Sequence, residues 1–366
     1  MKRSKGRVVV AMSGGVDSSV AAFILNKKGY ECIGISMKLW PKEECGFHNP
    51  TSCCSLEAIS DARFVTERLG IPFYVLDLHK EFKREVIDNF TREYLSGRTP
   101  NPCIHCNEKI KFGALLRKAS ELNAKYVATG HYACVKLDKK NRGYGLSEGS
   151  DKRKDQSYAL FSLSQNQLSR TLFPLCGLKK DRVRKMAKKN GLMVHNKSES
   201  QDICFIRDGY EKFLKEKFKD RIKEGPIVDS DGNRLGEHRG IPFYTVGQRE
   251  GLGISYKHAL YVIKIDTKKN TIVVGPKESR YFKSMVVNGV NWIAMPKTKS
   301  FRAQVKIRSQ HKKAGARFTV LKKSVEVTFD KPQESPTPGQ AAVFYKRNRV
   351  LGGGWISSAT PSPRKM

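Results

Sequence analysis

Two groups of residues in this chain have the types and spacing to do chemistry: a turn rich in glycine and hydroxyls, and a set of scattered cysteines. Ala11-Met12-Ser13-Gly14-Gly15-Val16-Asp17-Ser18-Ser19 follows the short β-branched run Val8-Val9-Val10 and opens a stretch with helical spacing, Ser18 to Lys28. Two adjacent glycines let backbone N–H groups come close to an anion, and a helix N-terminus adds partial positive charge. Ser13, Ser18 and Ser19 offer hydroxyl donors, while Asp17 has two readings, a ligand for Mg²⁺ or a helix cap. The turn lacks a Walker-type lysine, which argues against ordinary γ-phosphate hydrolysis.

Nine cysteines, an odd number spread over 366 residues, do not resemble a secreted disulfide framework. Cys32, Cys134 and Cys176 sit among apolar neighbours and read as core fillers. Cys45 and Cys53-Cys54 share a loop before the helical stretch at Ser55, either an accessory redox or metal site or a plain loop feature. In Asn101-Pro102-Cys103-Ile104-His105-Cys106-Asn107-Glu108-Lys109-Ile110-Lys111-Phe112, Cys106 is expected at or just before a helix N-terminus. There the helix dipole, with Lys109 and Lys111, would favour its thiolate. Cys204, in Ser200-Gln201-Asp202-Ile203-Cys204-Phe205-Ile206, is far away in sequence but close to a domain edge.

The elements that must position these residues are legible in outline. Strand signals at 8–10, 31–37, 73–76 and 126–128 alternate with helical stretches at 18–28, 55–69, 81–95 and about 108–122. That alternation predicts an α/β domain with a parallel sheet, whose ligands sit at the carboxyl ends of the strands. After Phe205 the language changes to short strands punctuated by Gly, Pro and Asn, apart from a helical stretch at 211–219. The expected division is therefore an α/β catalytic domain at 1–205, a small β-rich domain at 206–282, and a β-barrel at 283–366.

Charge separates these parts. The chain holds 69 Lys and Arg against 35 Asp and Glu, a net +34, which points to a polyanionic partner. Residues 283–366 alone carry 17 basic and 3 acidic side chains, so the last domain is the expected nucleic-acid face. No apolar run approaches the roughly 20 residues of a membrane span, and Met1 to Arg7 leave no room for a secretory signal, so a cytosolic protein is expected.

The 13–18 turn resembles the SGGxDS loop of the PP-loop ATP pyrophosphatases. The match extends to Cys106-Asn107-Glu108-Lys109-Ile110-Lys111-Phe112, Lys154-Asp155-Gln156-Ser157-Tyr158 and Ser200-Gln201-Asp202-Ile203-Cys204-Phe205-Ile206. It continues through Gly240-Ile241-Pro242-Phe243-Tyr244-Thr245-Val246-Gly247-Gln248-Arg249 and Gly339-Gln340-Ala341-Ala342-Val343-Phe344-Tyr345. Taken in order, these six motifs resemble the tRNA-specific 2-thiouridylase family over essentially the whole chain. The resemblance implies ATP with Mg²⁺ as cofactors, adenylation of the C2 oxygen of a wobble uridine, and sulfur transfer to C2.

On the same resemblance, Ala11, Met12, Ser13, Gly14, Gly15, Val16, Asp17, Ser18, Met37 and Gly130 would bind ATP. Cys204 would carry a persulfide from a sulfur-donor protein, and Cys106 would attack it or close a disulfide with it. Asn101, Pro102 and Cys103 would meet the target base, with His131 nearby. Lys154, Asp155 and Gln156, in a polar loop that orders on RNA, and Arg308, Ser309 and Gln340 would contact tRNA. Many members have Asp where Cys103 stands. Cys103, Cys106 and Cys204 together would supply three thiolates, the ligand set of a [4Fe–4S] cluster with one open iron, as an alternative to the persulfide route; a structural zinc is a third option. Two other activities compete: an amidating PP-loop synthetase, which needs no paired cysteines, and a non-catalytic tRNA-binding protein.

Overall fold

The computed structural model describes residues 4–40, 55–139, 142–197, 203–206 and 209–362. Cys45, Cys53 and Cys54 lie outside the described residues, as do Ser200, Gln201 and Asp202. The chain forms two compact units, one built from Met1–Ile87, Pro102–Arg207 and Asn348–Val350, the other from Asp88–Asn101, Asp208–Arg347 and Leu351–Met366.

In the first unit Val8, Val9 and Val10 are completely buried, because their strand β1 (Arg7–Ala11) is central. β2 (Glu31–Lys38) and β4 (Tyr126–Ala128) flank it in parallel. β3 (Phe73–Asp77) lies beyond β2, and a short β7 (Thr171–Leu172) beyond β4, so five parallel strands run β3-β2-β1-β4-β7. The expected parallel sheet is present. A hairpin of β5 (Ala133–Asp138) and β6 (Gly143–Glu148) follows β4 and was not anticipated, because its residues alternate too weakly to stand out.

Helices cover the sheet as its buried strands require. Val16–Lys27 packs against Leu56–Leu69 and Lys180–Lys189 through Val20, Ala22, Leu25, Ala62, Val65, Val183 and Ala187. Ser55 caps the second of these by accepting a hydrogen bond from the Ala58 N–H at 3.1 Å. The helix bearing the cysteines begins at Pro102, earlier than the expected 108. Its first turn, Pro102–His105, widens into a π-helical stretch, Cys106–Ala114, and closes with Leu115–Glu121. Pro102 suits this start, since its fixed φ and missing N–H fit a first helical position.

In the second unit, β8 (Gly225–Val228), β9 (Arg234–His238), β10 (Tyr261–Asp266) and β11 (Thr271–Gly275) form a sheet ordered β10-β11-β8-β9. Six further strands are β12 (Tyr281–Trp292), β13 (Ser300–Lys306), β14 (Ala314–Val320), β15 (Ser324–Glu334), β16 (Ala341–Lys346) and β17 (Arg349–Pro361). They run β12-β15-β14-β13-β16-β17 and close through β12 against β17, a barrel as expected. Its interior is filled by Met285, Val305, Phe318, Val327, Phe344 and Ile356, with Phe318 and Phe344 ring centroids 4.9 Å apart. Each such side chain contributes about 1.5–3 kcal/mol by burial.

Candidate active site

The anion turn sits where parallel-sheet ligands bind, at the carboxyl end of β1. Its shape is set by internal hydroxyls. Ser18 Oγ accepts from the Ser13 N–H at 3.2 Å and donates to the Gly15 carbonyl at 3.0 Å, and Ser19 Oγ donates to the same carbonyl at 2.9 Å. Ser36 of β2 holds the Met12 carbonyl from the neighbouring strand at 2.8 Å. Two glycines are required by close approach. Gly14 has φ +68°, and a Cβ there would stand 2.3 Å from the Ala58 carbonyl oxygen. At Gly130 a Cβ would lie 2.7–2.8 Å from the Asp17 and Ser18 main chain and the Asp17 Cβ. Gly15 is the N-cap of the following helix and makes no side-chain cap bond.

One cleft gathers much of the predicted site: Ala11, Met12, Ser13, Asp17, Ser18, Met37, Gly130, His131 and Gln156 line it, together with Thr129 and Lys111. Thr129 and Lys111 as cleft residues were missed by sequence. Lys111 lines this cleft, and its positive field falls on His131 and Cys103. Lys109 turns to Glu108 instead, with 2.6 Å between Nζ and carboxylate. His131 is buried against Phe112 and Phe173, with Nδ1 2.7 Å from the Thr129 hydroxyl. Burial, reinforced by Lys111, holds its pKa well below the usual 6.5, so the ring is neutral near pH 7.

The cysteine expectations change in three ways. Cys106 lies in the second turn of its helix, so the dipole argument applies to Cys103 in the first turn instead. Cys103 is exposed, yet the protein mass around its thiol pushes its pKa up against the pull of Lys111. Cys134 and Cys176 are not simple fillers: they form a disulfide joining β5 to the chain before Lys180–Lys189, with Cα atoms 4.9 Å apart. Cys32 is a buried filler, and desolvation raises its thiol to about 11.

Cys204 is half-buried. Its neighbour Phe205 is buried between Trp40 and Phe82, at centroid distances of 6.4 and 5.8 Å. Phe82 belongs to the turn His79–Phe82, which packs on the π-helical stretch containing Cys106. The two cysteine-bearing segments are thus one packing layer apart in the first unit. A cluster ligand set of Cys103, Cys106 and Cys204 is not seen among the described residues. Among the described residues no three His, Cys, Asp or Glu stand together as a metal site. Their surroundings also differ: exposed for Cys103, buried for Cys106, and fixed by an aromatic anchor for Cys204.

The polar stretch 151–156 was expected to order on RNA; here it is already tied down. Asp155 accepts from the Gly149 N–H and from both the N–H and hydroxyl of Ser157, while desolvation pushes its carboxyl pKa up. Gln156 exchanges bonds with the Tyr132 main chain, both at 3.0 Å. In the second unit Arg308 and Ser309 are exposed on the turn after β13, and Lys313 reaches the Arg347 carbonyl on the β16–β17 turn at 2.7 Å. Gln340 is committed locally: its amide donates to the Thr99 and Pro100 carbonyls at 3.1 and 3.2 Å. It therefore braces the stretch that runs by sequence into Asn101 and Pro102.

Residues 6–208 match the family model described as the tRNA methyl transferase HUP domain. Residues 211–276 match its PRC-barrel domain, and 282–356 the aminomethyltransferase beta-barrel domain. The chain is 48% identical to the tRNA-specific 2-thiouridylase MnmA of Halothermothrix orenii, over 96% of this chain and 98% of that one. It is 48% identical to the Geobacter metallireducens enzyme of the same name, over 98% of each. The Clostridioides difficile protein of that name is 45% identical, over 96% of this chain and 98% of its own length. No described helix is long and apolar enough to cross a membrane.

Proposed function

The chain belongs to the tRNA-specific 2-thiouridylase family and is an ATP-using sulfurtransferase that 2-thiolates uridine in tRNA; from that premise we propose how its residues divide the work. The observation that carries the proposal is the cleft in which the 13–18 turn faces Lys111 and His131. A polyphosphate seated on that turn presents its α-phosphorus toward the helix carrying Cys106. Ala11, Met12, Met37 and Gly130 contact the nucleoside side of ATP. Lys111 supplies the cation that the turn itself lacks.

The wobble uridine is flipped from the anticodon loop toward Asn101, Pro102 and Cys103. Its C2 oxygen attacks the α-phosphorus as N3 loses a proton, and the bond to the β-phosphate breaks, releasing pyrophosphate. The terminal sulfur of a Cys204 persulfide, after losing its proton, attacks C2, and the C2–O bond breaks to release AMP. The Cys106 thiolate then attacks Cys204 Sγ. The bond from Sγ to the transferred sulfur breaks, its electron pair stays with the sulfur on C2, and a Cys106–Cys204 disulfide forms. A dithiol reductant restores both thiols, and a sulfur-donor protein reloads Cys204. In this reading no step runs through an iron–sulfur cluster.

Lys154, Asp155, Gln156, Arg308 and Ser309 contact tRNA in this reading, and Gln340 acts by bracing the segment before Asn101. The basic β16–β17 turn, with exposed Lys346 and Arg347, adds phosphate contacts.

The test is thiolation of tRNA transcripts with ATP and a persulfide donor, with pyrophosphate release followed separately. Cys106→Ser and Cys204→Ser are expected to lose at least about 10³-fold in thiouridine formation while still releasing pyrophosphate. Cys103→Ser retains activity within about tenfold. Equal loss in all three variants, with iron in the wild-type protein, would replace the two-cysteine route by a cluster.

A further inference from the structure

Asp17 occupies the turn position from which a carboxylate could reach a cation on the nucleotide, yet its surroundings give it another task. Its Oδ1 accepts the Tyr132 hydroxyl at 2.7 Å, and its Oδ2 accepts the Lys180 ammonium at 2.6 Å. Lys180 is the first residue of Lys180–Lys189 and is only 7% exposed, and Tyr132 is 2% exposed. A lysine buried this deeply is found almost only when paired. The carboxylate does not cap its own helix, because Gly15 is the N-cap and makes no side-chain bond. Nor does it suit Mg²⁺. Both its oxygens are already engaged, by Tyr132 and by Lys180, and a dication on Asp17 would stand within a few ångströms of the Lys180 charge.

The two partners of Asp17 are themselves anchored to one stretch of chain. The Lys180 N–H donates to Asp151 at 3.0 Å, and the Tyr132 main chain donates to the Gln156 side-chain carbonyl and accepts from its N–H. The Cys134–Cys176 disulfide joins the same two segments, two residues beyond Tyr132 and four before Lys180. Gly130 presses its backbone against Asp17 and Ser18 from the third side.

We infer that Lys180 and Tyr132 are positioning residues: they clamp Asp17 so that the 13–18 turn is preformed for polyphosphate, and Asp17 is an anchor rather than a metal ligand. Lys180 also cancels a negative charge that would otherwise face the phosphates. The inference rests on reading the turn as the ATP site, and it has a sign that a merely structural role or a metal-ligand role does not share.

The experiment is equilibrium binding of MgATP, and titration of Mg²⁺ at fixed ATP, for wild type, Lys180→Met, Asp17→Asn and the double variant. Lys180→Met leaves the Asp17 charge uncompensated beside the phosphates, and its Kd for ATP should rise about 100-fold. The double variant removes both charges and should bind ATP about tenfold better than Lys180→Met. Asp17→Asn should leave the Mg²⁺ concentration for half-saturation unchanged. Lys180→Arg should keep binding within a few-fold, because it retains the charge.

A double variant that binds no better than Lys180→Met overturns the clamp. So does an Asp17→Asn protein that needs markedly more Mg²⁺. If Lys180→Met does not fold, the decision passes to the double variant and Asp17→Asn: near-equal ATP binding by these two supports the clamp, and a far weaker double variant overturns it. Wild-type protein that binds no ATP at all would instead sink the functional reading on which the inference rests.

Discussion

The ATP turn and the Cys204 turn stand in the same α/β unit but are held by different kinds of force. Ser13 to Ser18 is fixed by hydrogen bonds, from Ser36 to the preceding Met12 carbonyl and from Tyr132 and Lys180 to Asp17, and by close approach of Ala58 to Gly14 and of Gly130 to Asp17. The Cys204 turn is seated by one aromatic side chain, Phe205, between Trp40 and Phe82, and by the Ile206 N–H on the Ile203 carbonyl at 2.9 Å. Adenylation needs donors already aimed at developing phosphate charge, so a preformed polar turn suits it. In the proposed mechanism the sulfur relay needs a thiol to visit a donor, a base and a second thiol in succession, and the Cys204 turn has an aromatic anchor beside that thiol. On the proposed mechanism the contrast makes the two half-reactions separable by mutation.

That separation can be broken or sharpened in three ways. The largest effect is expected at Gly130→Ala, whose Cβ would enter the Asp17 and Ser18 backbone at 2.7–2.8 Å. The resulting overpacking destabilises by about 1–3 kcal/mol and displaces the turn, so KM for ATP should rise about 100-fold. Once saturated with ATP, this variant should transfer sulfur at a near-normal rate. Next, Phe205→Ala removes a buried ring and should slow thiouridine formation about tenfold, while pyrophosphate release is unaffected. Equal slowing of both half-reactions by Phe205→Ala would show that the two turns act as one. The smallest effect concerns His131. Its folded pKa lies below the unfolded value, so the unfolded chain binds the extra proton and stability falls as pH drops below about 6.5. Urea unfolding between pH 6.5 and 5.5 should show wild type losing up to about 1.4 kcal/mol more than His131→Asn. An identical pH slope in the two proteins would mean that His131 is not held neutral.

Much of this molecule is legible in its sequence. Four of the five parallel strands are legible because each is short, apolar and spaced from the next by a helix, and Val8-Val9-Val10 proved completely buried; β7, only two residues long, is not. The anion turn was readable because its glycines and serines act within nine consecutive residues. The barrel strands showed themselves through turn residues at regular intervals. Less legible was the start of the cysteine helix: Pro102 opens it, whereas the apolar period that drew attention begins later, near Glu108. The β5–β6 hairpin escaped because its faces are weakly contrasted, and the pairing of Cys134 with Cys176 escaped because apolar neighbours surround both.

What the sequence determined by itself are the features made by neighbours along the chain: the Ser13–Ser18 turn, the alternation that forces a covered parallel sheet, and the basic excess of the last 84 residues. Tertiary structure alone decided which partners meet. It carried Lys180 across 163 positions to Asp17, brought Lys111 into one cleft with His131, and set Gln340 against Thr99. The physical reason is range: local hydrogen bonding and hydrophobic period act over a few residues, whereas the place of a buried charge is settled only when the whole core closes around it.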